Sequence, residues 1–235
     1  MAIEHSHAGH RSRLKQRFLQ EGLDSFEPHE ILELLLFYAI PVQDTNELAH
    51  MLLRTFGSLS GVFDADPKEL EKVAGIKEHS AILLSMIPQL SRAYVRDRMS
   101  DRPILSDTKR AGSYVSCLFM GRLYEVFYVI SLDNSGRILH EDKICEGTLD
   151  ETACYPRLVM ETAFRHHAQK IILAHNHPSG VLRPSDFDIR STELLCRTLD
   201  AVGIGVVDHI IAGKNDFFSM RAAGLMPRLS PNDTY

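Results

Sequence analysis

At 235 residues, with 44% apolar and 24% charged side chains, the chain is long enough for one or two globular domains with buried cores, two being the better count. A formal net charge of −5 excludes a protein that coats nucleic acid by bulk electrostatics and leaves only local patches for that purpose. No stretch approaches the ~20 apolar residues of a membrane span, and Met1 to His5 lacks the basic-then-apolar order of a signal peptide, so the expected location is cytoplasmic.

Up to residue 100 the chain reads as all helix. His5, His7 and His10 cluster near the N-terminus, where a disordered, incidental metal binder is the default expectation. Arg11, Arg13, Lys15 and Arg17 form one basic run and Arg92, Arg96 and Arg98 another, both on helical patterns that suit a solvated face. Glu30 to Tyr38 is strongly apolar, Asn46 to Phe56 carries Leu48, Met51, Leu52 and Phe56 at helical spacing, and Pro67 to Val73 begins a short helix with Asp66 as its cap. Val73 to Ala81 then resembles a helix-hairpin-helix, a module that binds DNA when loop N–H groups meet phosphate and a glycine such as Gly75 lets the backbone approach. Lys77 stands where a second glycine is usual. Packing without DNA contact is therefore at least as expected as weak DNA binding through this region. Ser100-Asp101-Arg102-Pro103 interrupts the helical periodicity and divides the chain into a helical domain, 1–100, and a second domain, 103–228.

Beyond that junction strands alternate with helices. Tyr124 to Leu132 and Arg137 to Ile144 flank Asp133-Asn134-Ser135-Gly136, a hairpin turn signal. Pro156 opens a helix reaching His167, Ile171 to His175 reads as a buried strand, Ser185 begins a helix, and Gly205 to Ile211 is another apolar strand before a turn at Lys214-Asn215 and the pair Phe217-Phe218. The class is α/β with a mixed sheet. No G-x-G-x-x-G or G-K-[S/T] loop is present, so nucleotide binding has no motif behind it. Cys117, Cys145, Cys154 and Cys196 contain no C-x-x-C pair, and in a reducing compartment they read as free thiols rather than a disulfide framework or a cysteine zinc cluster.

The densest chemistry lies in Ala174-His175-Asn176-His177-Pro178-Ser179-Gly180 followed by Pro184-Ser185-Asp186-Phe187-Asp188. In extended backbone, residues i and i+2 share a face, so the rings of His175 and His177 reach a common point while Asn176 faces the other way. Asp188, in the first turn of the Ser185 helix, faces back toward them. Two imidazoles and a carboxylate leave one tetrahedral position for water, which is the catalytic form of a zinc site rather than the closed structural form. Bound zinc lowers the pKa of water from about 15.7 to about 7, so the chemistry indicated is metal-assisted hydrolysis. Ser185 and Asp188 also have the spacing of a capping box, which needs no metal at all. The two roles are compatible.

The pattern H-x-H-P, six residues, S-x-x-D resembles the JAMM (MPN+) zinc metalloprotease signature. The surrounding residues resemble its RadC-type members: Glu125-Val126-Phe127 with Ser131-Leu132-Asp133, Glu146-Gly147-Thr148-Leu149, Pro156-Arg157 and Asp208-His209. The likeness is strong from Pro103 to Leu225 and weaker before it. It implies a JAMM-like (cytidine-deaminase-like) mixed sheet with flanking helices, His175, His177 and Asp188 as Zn2+ ligands, Ser185 as a donor to the oxyanion, and an upstream glutamate as general base and acid.

Two glutamates compete for that last role. Glu125 opens a buried strand, where desolvation raises a carboxylate's pKa toward neutrality, whereas Glu146 precedes a turn. Glu125 is the choice, with a solvated strand-edge glutamate as its plain alternative. The adjacent letters His175-Asn176-His177 do not make an HNH nuclease, whose residues are spread over a unit of about thirty. His209 reads as a core histidine or as a group beside the metal, and His166 and His167 as favouring the C-terminal end of their helix dipole. The leading function is a zinc-dependent hydrolase acting on a peptide or isopeptide bond of a protein or peptide substrate. The rival is a DNA-associated repair or recombination protein whose metal site is structural or auxiliary.

Overall fold

The structure is a computed structural model and describes residues 4–41, 43–98, 103–147, 155–214, 216–227, 229 and 233–235. The chain separates into two compact units, Met1–Leu90 and Ser91–Tyr235. Most of the segment Ser100 to Pro103, where the sequence expects a junction, falls outside the described residues, as do Thr148, Leu149, Cys154 and Asn215.

The first unit contains α1 (Glu4–Glu21), α2 (Pro28–Ala39), α3 (Asn46–Phe56), α4 (Leu59–Phe63), α5 (Pro67–Leu70) and the start of α6 (Glu78–Arg98). The short helices α4 and α5 begin where side chains accept orphan N–H groups: Ser58 accepts from Gly61 at 3.0 Å and Asp66 from Lys68 at 2.8 Å. Leu32, Leu36, Leu48, Leu52, Leu70 and Leu84 form its main core. Contrary to the reading of a disordered N-terminal histidine cluster, His10 lies within α1 and hydrogen-bonds the buried carboxylate of Glu33 at 2.9 Å, which also accepts from Asn46 at 3.0 Å.

The second unit contains α7 (Thr108–Phe119), β1 (Val126–Leu132), β2 (Ile138–Glu146), α8 (Tyr155–Arg165), β3 (Lys170–Asn176), α9 (Asp186–Asp200), β4 (Gly205–Ala212) and β5 (Phe217–Ser219). The strands form one five-stranded sheet in the order β2-β1-β3-β4-β5, with β3 and β4 parallel and the other pairs antiparallel. The crossover between the parallel pair is α9, as a parallel connection requires. Every residue of β1, β3 and β4 is buried, because helices cover both faces. On one face Val115 and Leu118 of α7 meet Ile130, Ile172 and Ile210. On the other, Val159 of α8 and Leu195 and Leu199 of α9 meet Val129, Leu173 and Val206.

The hairpin between β1 and β2 forms as its sequence indicates. Asp133 Oδ1 accepts from the amides of Ser135 at 2.8 Å and Arg137 at 2.9 Å, and Gly136 adopts φ +78°. β2 runs two residues beyond the expected Ile144, so Glu146 ends the strand instead of standing apart from it. No helix among the described residues is long and apolar enough to cross a membrane.

Candidate metal centre

His175 is the sixth residue of β3, the middle strand of the sheet, and is fully buried. His177 lies just past the strand, yet its N–H still donates to Ala212 O at 2.9 Å, which keeps the strand-like alternation going. The two Nε2 atoms consequently meet at 3.0 Å. Asp188 arrives from α9: its Oδ1 is 3.5 Å from His175 Nε2 and its Oδ2 3.9 Å from His177 Nε2. Its carboxylate is fixed by the capping box at the helix start, where Oδ2 accepts from Ser185 N at 2.7 Å and from Ser185 Oγ at 2.6 Å. Cap and site are therefore one structure. Glu125, one residue before β1, completes a group in which ligand atoms of Glu125, His175 and His177 all lie within 4.8 Å of one another.

Hydrogen-bond partners assign the tautomers. His177 Nδ1 is 2.6 Å from Val181 O, a carbonyl that can only accept, so Nδ1 carries the hydrogen and Nε2 a lone pair. The hydroxyl of Thr192 donates to Asp188 O at 2.5 Å and so accepts, at 2.6 Å, from His209 Nδ1. His209 Nε2 is then bare and accepts from His175 Nδ1 at 2.8 Å. His175 Nε2 is left with its lone pair pointing into the site. Burial holds His175 neutral, well below the ordinary histidine range, and lowers His209 to about 3, with the nearby His177 adding to the effect on His209. Two bare nitrogens 3.0 Å apart, beside two carboxylates, repel unless a cation or proton stands between them. Neutral imidazole and carboxylate are the donor types that zinc takes.

The RadC family model, described as a RadC-like JAB domain, matches residues 105–225. A UPF0758 protein of Fusobacterium nucleatum subsp. nucleatum is 34% identical over 230 residues, covering 95% of this chain and 99% of that protein. A UPF0758 protein of Rhodobacter capsulatus is 36% identical over 213 residues, covering 91% of this chain and all of that protein. The chain belongs to the RadC-like JAB family. Neither relative's name states an activity.

In this RadC-like chain the two competing glutamates have different surroundings. Glu125 is half-buried, and burial pushes its carboxyl up, with His177 opposing and Asp188 reinforcing that shift. Glu146 is exposed and ion-paired with Lys143, whose hydrogen bond holds its carboxyl down. Ser185 sits at the site, but its hydroxyl hydrogen is turned onto Asp188. The sequence missed Asn176: its Oδ1 accepts from Val126 N at 2.8 Å and its Nδ2 donates to Tyr124 O at 3.0 Å, so it clamps the chain on both sides of Glu125. Gly147 N holds Glu125 O at 2.9 Å from the end of β2. The reversed orientation of Asn176 in an extended strand was the available signal. Thr192, one helical turn beyond the motif, carried none. Asp208, next to His209, faces away from this group and anchors β4 by accepting from Ser219 Oγ at 2.5 Å and Tyr235 OH at 2.8 Å.

Proposed function

We propose that this RadC-like protein is a zinc-dependent hydrolase acting on a peptide or isopeptide bond. The observation that carries the reading is the pair of imidazole Nε2 lone pairs 3.0 Å apart, locked in that tautomer by Val181 O and by the His209–Thr192 relay. His175, His177 and Asp188 would hold the ion. Zinc there supplies Lewis acidity that makes water nucleophilic near neutral pH and polarises a carbonyl.

The protein's own residues supply the remainder. Glu125 lies within reach of the same point and its raised pKa suits a group that takes a proton from water and passes it to the leaving amine. The Ser185 hydroxyl, turning about its own torsion from Asp188 Oδ2, donates to the oxygen on which charge develops. His209 and Thr192 keep the proton off the metal-facing side of His175, an arrangement that typically changes metal affinity about 10- to 100-fold when removed.

The test is zinc content by elemental analysis together with cleavage of a panel of unstructured peptides and isopeptide-linked peptides. Wild type is expected to carry one equivalent at this centre that His175→Ala/His177→Ala loses along with any cleavage. Metal fully retained at the centre in that double variant, or cleavage by metal-stripped protein, sinks the assignment.

A further inference from the structure

On the same face of the sheet, β2 carries His140 and Asp142 two residues apart, opposite Ser131 and Val129 of β1. His166, immediately after α8, reaches the same place from above. The sequence suggested that His166 serves the end of its helix dipole; its ring instead stacks on His140 with centroids 4.1 Å apart and planes 3° from parallel. His140 Nδ1 and His166 Nε2 each lie 2.9 Å from one oxygen, Asp142 Oδ2, and all three donors fall within 4.8 Å of one another. His166 Nε2 is buried, and although Asp142 is near, the alignment makes no hydrogen bond. The hydroxyl of Ser131, fully buried directly across from His140, also has no hydrogen-bond partner among the described residues.

We propose that His140, Asp142 and His166 form a second zinc-class site, bracing the edge strand β2 to the end of α8. Tetrahedral ligands at about 2.0–2.2 Å from an ion stand roughly 3.3–3.5 Å apart. Asp142 Oδ2 stands 2.9 Å from each imidazole nitrogen, a few tenths of an ångström inside that value, and the side chain of His140 is 52% exposed, so a small shift of that ring opens the group to it. An ion would also take up the misaligned His166 nitrogen, which the carboxylate alone leaves unsatisfied. The site is separate from the His175 centre. Ser131 pairs with Ile171, four residues before His175 on β3, so strand spacing places the two groups roughly 15 Å apart. Two-metal catalytic clamps need about 3.5–4 Å. The second ion is therefore a brace, and its existence does not depend on the proposed hydrolase.

Zinc binding to the full-length chain tests this by equilibrium dialysis and elemental analysis. His5→Ala and His7→Ala are included throughout so that the N-terminal histidines do not contribute. That background is expected to take two equivalents, His140→Ala/His166→Ala one, His175→Ala/His177→Ala one, and the four-histidine combination none. Asp142→Asn, which keeps size and polarity, is expected to match the His140/His166 variant and covers the case in which that variant fails to fold. A background whose zinc content does not fall by one equivalent when His140 and His166, or the Asp142 carboxylate, are removed overturns the second site. Failure of the His175 arm alone bears on the hydrolase and leaves the second site standing.

Discussion

Between Tyr124 and Val126, whose carbonyl and amide are both taken by the Asn176 side chain, Glu125 has little freedom to leave the imidazole pair. Glu146 has no such restraint and is already committed to Lys143 at the surface. Changing Glu125 to Gln preserves shape but removes the proton acceptor, so zinc should stay bound while peptide-bond hydrolysis falls by ~10²- to 10⁴-fold. Glu146→Gln should leave the rate within about twofold, the ordinary reach of a surface substitution with no named mechanism behind it. Paired rate measurements on the two variants check this; an unaffected Glu125→Gln and a collapsed Glu146→Gln would reverse the roles. The imidazole pair and Asp188 were legible in the sequence because alternation and helix capping are local rules that act over a few residues. The clamp on Glu125 was not, since Val126 and Asn176 are brought together by pairing of strands 50 residues apart. The tautomer relay was equally hidden, because Thr192 and His209 meet only when α9 packs on β4.

Element by element, helices with strong caps and strands with continuous apolar runs were readable, and α3 begins and ends where its spacing indicates. β2 was harder. It is an edge strand with a mixed burial pattern, so its apolar signal fades before hydrogen bonding to β1 stops. Gly112, inside α7, shows the same limit from the other side: in sequence it is only a helix weakened by about 1 kcal/mol relative to alanine. In the fold, a Cβ there would lie 2.1 Å from the ring of Phe217 on β5. Helix propensity and packing therefore pull in opposite directions, and packing should win because a ring, unlike a long flexible chain, cannot fold its end away. Gly112→Ala is expected to destabilise the protein by about 1–3 kcal/mol, the range for overpacked cores. Urea denaturation with an unchanged slope and a lower midpoint checks it, whereas a higher midpoint would show that Phe217 moves aside without loss.

For the molecule as a whole, the sequence conveyed the class of each unit better than the use of the helical one. The segment Val73 to Ala81, whose sequence resembles a DNA-binding hairpin, lies between α5 and the first turn of α6, and its residues have structural employment. Leu70, Val73, Ile76 and Ala81 enter the helical core. Gly75 adopts φ +98°, so its backbone conformation already calls for glycine without any phosphate. Lys72 is paired with Glu69 at 2.6 Å, which removes part of the local positive charge. The whole chain is acidic, at −5. These facts favour at most weak, sequence-independent DNA binding, made from a few lysine–phosphate contacts. Each such contact contributes about 0.9 to the slope of log affinity against log salt, so a few of them predict a shallow slope and no measurable binding at high salt. Fluorescence anisotropy with full-length protein and two duplexes of unrelated sequence, each across a salt series, gives the measurement. Tight binding that survives high salt, or that distinguishes the duplexes, would show that the hairpin reads DNA and would give the helical unit a function its packing does not require.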